Sequence, residues 1–155
     1  MPRLLEGQKA PDFQLLDDAG ARFHLETCLK EGPVVLFFYP KDETAVCTRE
    51  ACGFRDQYTA FTTGGGQVFG ISRDDQASHA AFRAHHHLPF RLLSDPGGRV
   101  ADLFGVTRTL GILPGRATFV ITRDQVLALS FQSALSASAH IENARRVIAT
   151  LHRER

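Results

Sequence analysis

Five apolar residues in a row, Val34-Val35-Leu36-Phe37-Phe38, constrain this chain more than any other stretch. The run is short, β-branched and aromatic, so it reads as a strand buried on both faces. Such a strand needs packed layers above and below it. Pro40 stops it, and a polar loop, Lys41-Asp42-Glu43-Thr44, follows. Beyond the loop the period changes. Ala51, Phe54, Tyr58 and Phe61 recur at spacings of three and four, which is helical. A helix therefore begins near Ala45, and Cys47 falls in its first turn.

That place has a chemistry. The first N–H groups of a helix lack internal partners, and the macrodipole adds partial positive charge there. A thiolate is stabilised at such a point, and the thiolate is the attacking form. Position alone leaves Cys47 either as this nucleophile or as a small packed side chain. Cys52 follows five residues later. On an intact helix that offset is about 140° and about 7.5 Å of rise, leaving the Cα atoms roughly 8–9 Å apart. A disulfide needs them within about 7 Å. If the two sulfurs join, the first turns of the helix must unwind.

The pattern Pro40-x-x-x-Thr44-x-x-Cys47 resembles the active-site motif of the peroxiredoxins. Thr48-x-Glu50-Ala51-Cys52 resembles the peroxiredoxin Q subfamily, also called bacterioferritin comigratory protein, whose resolving cysteine sits five residues after the peroxidatic one. Arg116-Ala117-Thr118-Phe119-Val120-Ile121 is similar to the strand carrying the family's arginine, and Gly7-Gln8-Lys9-Ala10-Pro11-Asp12-Phe13 to its N-terminal segment. One departure is Val46, where the subfamily commonly has glycine. The resemblance implies a thioredoxin-like fold with an N-terminal extension. It also implies a peroxidase in which Cys47 attacks a hydroperoxide, Cys52 closes a disulfide, and thioredoxin or a similar dithiol reopens it. Thr44 and Arg116 would polarise the peroxide and hold the thiolate, and Pro40 would shield the site. Neither metal nor organic cofactor is required. Two other classes stay open. A thiol–disulfide oxidoreductase would favour Cys-x-x-Cys, and a redox-regulated holdase would not need Thr44 or Arg116.

The remaining stretches alternate. Phe13–Leu16 and Arg22–Leu25 read as a β-hairpin around Asp17-Asp18-Ala19-Gly20, and Glu26–Lys30 as a short helical turn. Gln67–Ile71 and Phe90–Leu93 read as strands, Ala117–Thr122 and Val126–Phe131 as a hairpin. Between them lie a helix over Ala77, Ala81 and Phe82, a short one over Arg99–Phe104, and a loop over Thr107–Gly115. A last helix is capped by Ser136 or Ser138 and buries Ile141, Ala144, Val147, Ile148 and Leu151. The expected architecture is one α/β domain over residues 1–155, a mixed sheet flanked by helices.

The Gly64-Gly65-Gly66 run follows a helix and precedes a strand, the reverse of a dinucleotide cradle, so it reads as a turn. His85-His86-His87 invites a metal reading, but consecutive residues on a helix point apart, so the run reads as a solvated helix end. Cys28 has no neighbouring partner and reads as a packed side chain. Eighteen basic against seventeen acidic residues give no reason to expect nucleic acid. No apolar stretch is long enough to span a membrane, and an odd count of three cysteines is no secreted disulfide framework. The expectation is a cytoplasmic monomer or weak homodimer.

Overall fold

Val34–Phe38 is the central strand, β3, buried at every residue. The computed structural model describes residues 4–106, 115–133 and 136–154. Their elements run β1 (Gln14–Asp17), β2 (Arg22–His24), α1 (Leu25–Leu29), β3, α2 (Ala45–Asp56), α3 (Tyr58–Thr63), β4 (Gln67–Ser72) and α4 (Gln76–His85). Then come β5 (Arg91–Ser94), a 3-10 turn (Pro96–Gly98), α5 (Arg99–Leu103), β6 (Ala117–Ile121), β7 (Leu127–Gln132) and α6 (Ala137–Arg153).

The seven strands among these residues form one sheet in the order β2-β1-β5-β4-β3-β6-β7. β3, β4 and β5 are mutually parallel, while β1, β2, β6 and β7 join antiparallel. The two parallel crossovers step the same way along the sheet, so right-handed connections place α2, α3 and α4 on one face. α6 packs there as well. The period-2 alternation of β3 then divides the core. Val34, Leu36 and Phe38 join one cluster with α1 and α5; Val35, Phe37 and then Tyr39 join the other, which also holds Cys47.

Phe37 fastens α2 to the sheet. Its ring stacks on Phe54 with centroids 4.5 Å apart and meets Phe90 edge-on at 5.5 Å. Each such pair adds about 0.5–1.5 kcal/mol beyond area burial. Gly53 allows the close approach of α6, since a Cβ there would collide with Cδ1 of Ile141. The far half of α2 is thus locked in the core, whereas its first turn has no side-chain cap.

Two details differ from the sequence reading. The stripe from Ala51 to Phe61 crosses a bend at Gln57, where α2 ends and α3 begins. Phe54 and Phe61 still touch, at 5.5 Å, so the periodicity survives the bend. On α4 the alanines at 77 and 81 face solvent; His79 and Phe82 are the buried residues. The residues before β1 bond along β7, through Gly7 N–H to the Leu127 carbonyl (2.8 Å) and Ala10 N–H to the Gln125 carbonyl (2.9 Å). Most of the 107–115 loop lies outside the described residues. Among those described, no helix is long and apolar enough to cross a membrane.

Candidate active site

Strand register brings the site together. β3 and β6 pair antiparallel with Phe38 opposite Ala117, so Arg116 enters beside the point where β3 hands over to the loop and α2. α2 starts at Ala45 with Thr44 as N-cap, which turns the uncapped N–H groups of the first turn toward Cys47. Both terminal nitrogens of Arg116 lie 3.5 Å from the Cys47 sulfur. Cys47 is 1% exposed and Arg116 9%, so this contact sits in a dry environment where a guanidinium acts strongly on a neighbouring thiolate.

Behind the arginine lies a further buried polar group. Glu50, one turn after Cys47, points inward and is fully buried, while Arg49 is exposed. Glu50 Oε1 is 3.6 Å from Arg116 and Oε2 is 3.8 Å from His140. Among the described residues, neither carboxyl oxygen has a hydrogen-bond partner, nor does Arg116 Nε. Burial pushes the Glu50 carboxyl up to about 8, against the pull of Arg116. It is therefore mostly protonated at neutral pH, and the arginine's charge is left for the sulfur. His140 is neutral for the same reason: burial lowers it, the Ser133 carbonyl opposes, and Arg116 lowers it further. Its Nε2–H donates to the Ser133 carbonyl and its Nδ1 accepts from Thr118, both at 2.8 Å.

An acid raised in this way holds its proton more tightly when folded, so it costs stability as pH climbs from the ordinary 4.5 toward about 8. Glu50→Gln is expected to remove that loss. Its melting temperature relative to the parent should rise between about pH 5 and about pH 9, read by circular dichroism; a constant difference would refute the buried-proton assignment.

The loop before Cys47 is pinned from α4. Asp42, buried, accepts from the Tyr39 hydroxyl (2.6 Å), from Ser78 (2.8 Å) and from His79 Nδ1 (2.8 Å). His79 Nε2 faces the Leu93 carbonyl at 3.0 Å, so both ring nitrogens meet acceptors. Burial, then Asp42, drives the Tyr39 phenol well above its ordinary value, which keeps it a donor.

The other expected residues are placed less directly. Pro40 is half-buried at the end of β3. Thr44 is exposed, and its hydroxyl donates to the Lys41 carbonyl (2.9 Å), not to the sulfur. Cys52 is half-buried further along an unbroken α2, and all three cysteines are free thiols. A wound helix between Cys47 and Cys52 agrees with the spacing argument. Sequence reading missed His140, Thr118 and His79. A signal for His140 existed: it stands four and eight residues before Ala144 and Ile148, on the buried stripe of α6.

The AhpC/TSA family profile matches residues 6–130. Peroxiredoxin Q, chloroplastic, of Suaeda salsa is 41% identical over 150 residues, covering 96% of this chain and 70% of that protein. The chain belongs to the AhpC/TSA family. Peroxiredoxin Q, chloroplastic, of Populus jackii is 42% identical over 147 residues, with 94% and 68% covered. Among solved structures, peroxidoxin BcpB from Mycobacterium tuberculosis is 38% identical, with a TM-score of 0.90 over 96% of this chain and 99% of that one. Xanthomonas campestris peroxiredoxin Q, 24% identical with a TM-score of 0.82 over 90% and 91%, shares the fold. The mixed sheet with its flanking helices is thus the family's thioredoxin-like fold, with β1 and β2 as an N-terminal hairpin. Family membership makes the chain a thiol-dependent peroxidase, an oxidoreductase of the peroxiredoxin Q kind.

Proposed function

We propose that Cys47 is the peroxidatic nucleophile and Cys52 the resolving thiol, within the single domain formed by residues 1–155. The observation that carries this reading is the two-pronged contact of Arg116 on the Cys47 sulfur at 3.5 Å, at the mouth of α2. The thiolate attacks one oxygen of a hydroperoxide. The O–O bond breaks, an S–O bond forms, and the other oxygen takes a proton and leaves as water or alcohol. Arg116 stabilises charge on the departing oxygen. Glu50, held neutral by burial, leaves that charge uncompensated. Thr44 serves the peroxide once its hydroxyl turns from the Lys41 carbonyl. Pro40 shields the approach. With Cys47 1% exposed, peroxide entry needs a small opening of its cover.

Cys52 then attacks the sulfenic acid, water leaves, and the disulfide closes. The uncapped first turns of α2 unwind, while Phe54, stacked on Phe37, stays in place. A thioredoxin-like dithiol takes up the disulfide and restores both thiols. The same reading sets the chain in a reducing, cytoplasmic compartment, as a monomer or weak homodimer.

Cys52→Ser separates the two halves of the cycle. Mixed once with hydrogen peroxide, the variant should still consume about one equivalent and leave a sulfenic acid on Cys47 that a 1,3-diketone traps, with no intramolecular disulfide by mass spectrometry. A variant that recycles through thioredoxin as fast as the parent would rule out Cys52 as the resolving thiol.

A further inference from the structure

The loop that leads to Cys47 carries a second cluster of ligand-type side chains. Glu43 Oε1 lies 2.8 Å from His86 Nε2 and 3.3 Å from His85 Nδ1; Oε2 lies 2.9 Å from His85 Nδ1. One ligand atom from each residue falls within 4.8 Å of the others. The two imidazoles face each other with centroids 4.1 Å apart. Zinc held tetrahedrally at about 2.0–2.1 Å from nitrogen or oxygen needs ligand atoms about 3.3 Å apart. The three atoms already lie within 4.8 Å of one another, and exposed Glu43 and His85 leave a further position for water.

The rule that adjacent helical residues diverge fails here because the helix has ended. α4 stops at His85; His86 is the C-cap at φ −105° and ψ 8°, and His87 turns away at φ 53°. The His86 carbonyl accepts from Arg55 of α2 at 2.7 Å, which fixes the turn. Glu43 is itself held at φ 64°, a left-handed conformation that non-glycine residues seldom adopt. Another such cluster, Asp12, His24 and Glu26, offers one imidazole only, and its Asp12 Oδ1 already accepts from the Glu26 N–H at 2.9 Å.

We propose that Glu43, His85 and His86 form a surface site for a divalent transition metal of the zinc type, and that the bound ion clamps the Cys47 loop to the end of α4. Glu43 immediately precedes the N-cap Thr44, and Asp42 beside it is already tied to α4 through Ser78 and His79. An ion replaces the hydrogen bonds from Glu43 to His85 and His86 with coordinate bonds, tightening a second tie next to the turn that must unwind for Cys47 to meet Cys52. The clamp rests on the resolution step proposed above; the metal site does not.

Two measurements keep these apart. Zinc chloride titrated calorimetrically into C28S/C47S/C52S, which has no thiols to compete, should show uptake of one ion per chain. Adding Glu43→Gln or His85→Asn should weaken it at least about tenfold. Cobalt(II) on the reduced wild-type protein should give visible d–d bands at the first equivalent without a thiolate charge-transfer band, a reading that does not depend on the triple variant folding. No uptake by either protein, or undiminished uptake after both substitutions, overturns the site. For the clamp, zinc should slow disulfide closure after a single addition of peroxide in wild type. In Glu43→Gln the rate should stay at that variant's own metal-free value. Equal slowing in both, or none in either, overturns the clamp and leaves the calorimetric result standing.

Discussion

Cys47→Ser is expected to bring peroxide consumption down to the uncatalysed background. Loss of a nucleophile from a site whose other parts stay in place costs about four orders of magnitude or more. A serine hydroxyl stays protonated at neutral pH and is not oxidised by peroxide, so neither the helix mouth nor Arg116 has an anion to act on. The sulfur sits among Tyr39, Ala51 and Phe54 in one apolar cluster, and serine nearly matches its volume, so the fold should be retained. The coupled assay with thioredoxin, its reductase and NADPH reads the loss, and circular dichroism checks the fold. Activity in Cys47→Ser above background would move the chemistry to another residue and dismantle the proposed cycle.

Arg116→Ala should lower the second-order rate with peroxide by about 10²–10³, the usual cost of removing a donor aimed at developing charge in a dry site. Two terminal nitrogens at equal distance from the sulfur make this a planar fork, not a point contact. Arg116→Lys keeps the charge but lacks the fork, so it should fall between alanine and the parent. Stopped-flow mixing with hydrogen peroxide isolates the first step from disulfide closure. If Arg116→Ala reacts at the parent rate while its fold is intact, the 3.5 Å contact is structural and Cys47 is activated by the helix alone.

How much of this was legible follows from what each signal depends on. Val34–Phe38 and the helix from Ala45 were readable because burial on two faces and a 3.6-residue period are local patterns. The Pro40, Thr44, Cys47 and Cys52 set was readable as a motif. Arg116 was found through family likeness; its nearness to Cys47 depends on β3–β6 register, which no local pattern states. Glu50 looked like any polar residue on a helix face until α6 and β6 closed over it. His79 and His140 were overlooked because a polar residue within an apolar stripe reads as a lapse in the stripe. Their partners, Asp42 and Thr118, lie 37 and 22 residues away. The convergence of His85 and His86 on Glu43 was not legible for a related reason: the run does read as an exposed helix end, but where α4 stops at His85 depends on the turn that follows.

Cys28 packs against the α1 and α5 side of the sheet, and Cys47 belongs to the opposite side. A full thickness of hydrogen-bonded strands therefore insulates the third thiol from the two cysteines proposed to react. Within one molecule, scrambling to a wrong disulfide is barred by geometry, and burial, partly offset by Arg91, raises the Cys28 thiol so that it is slow to exchange with outside partners as well. The barrier spares this chain the mispaired forms that three nearby sulfurs would otherwise allow.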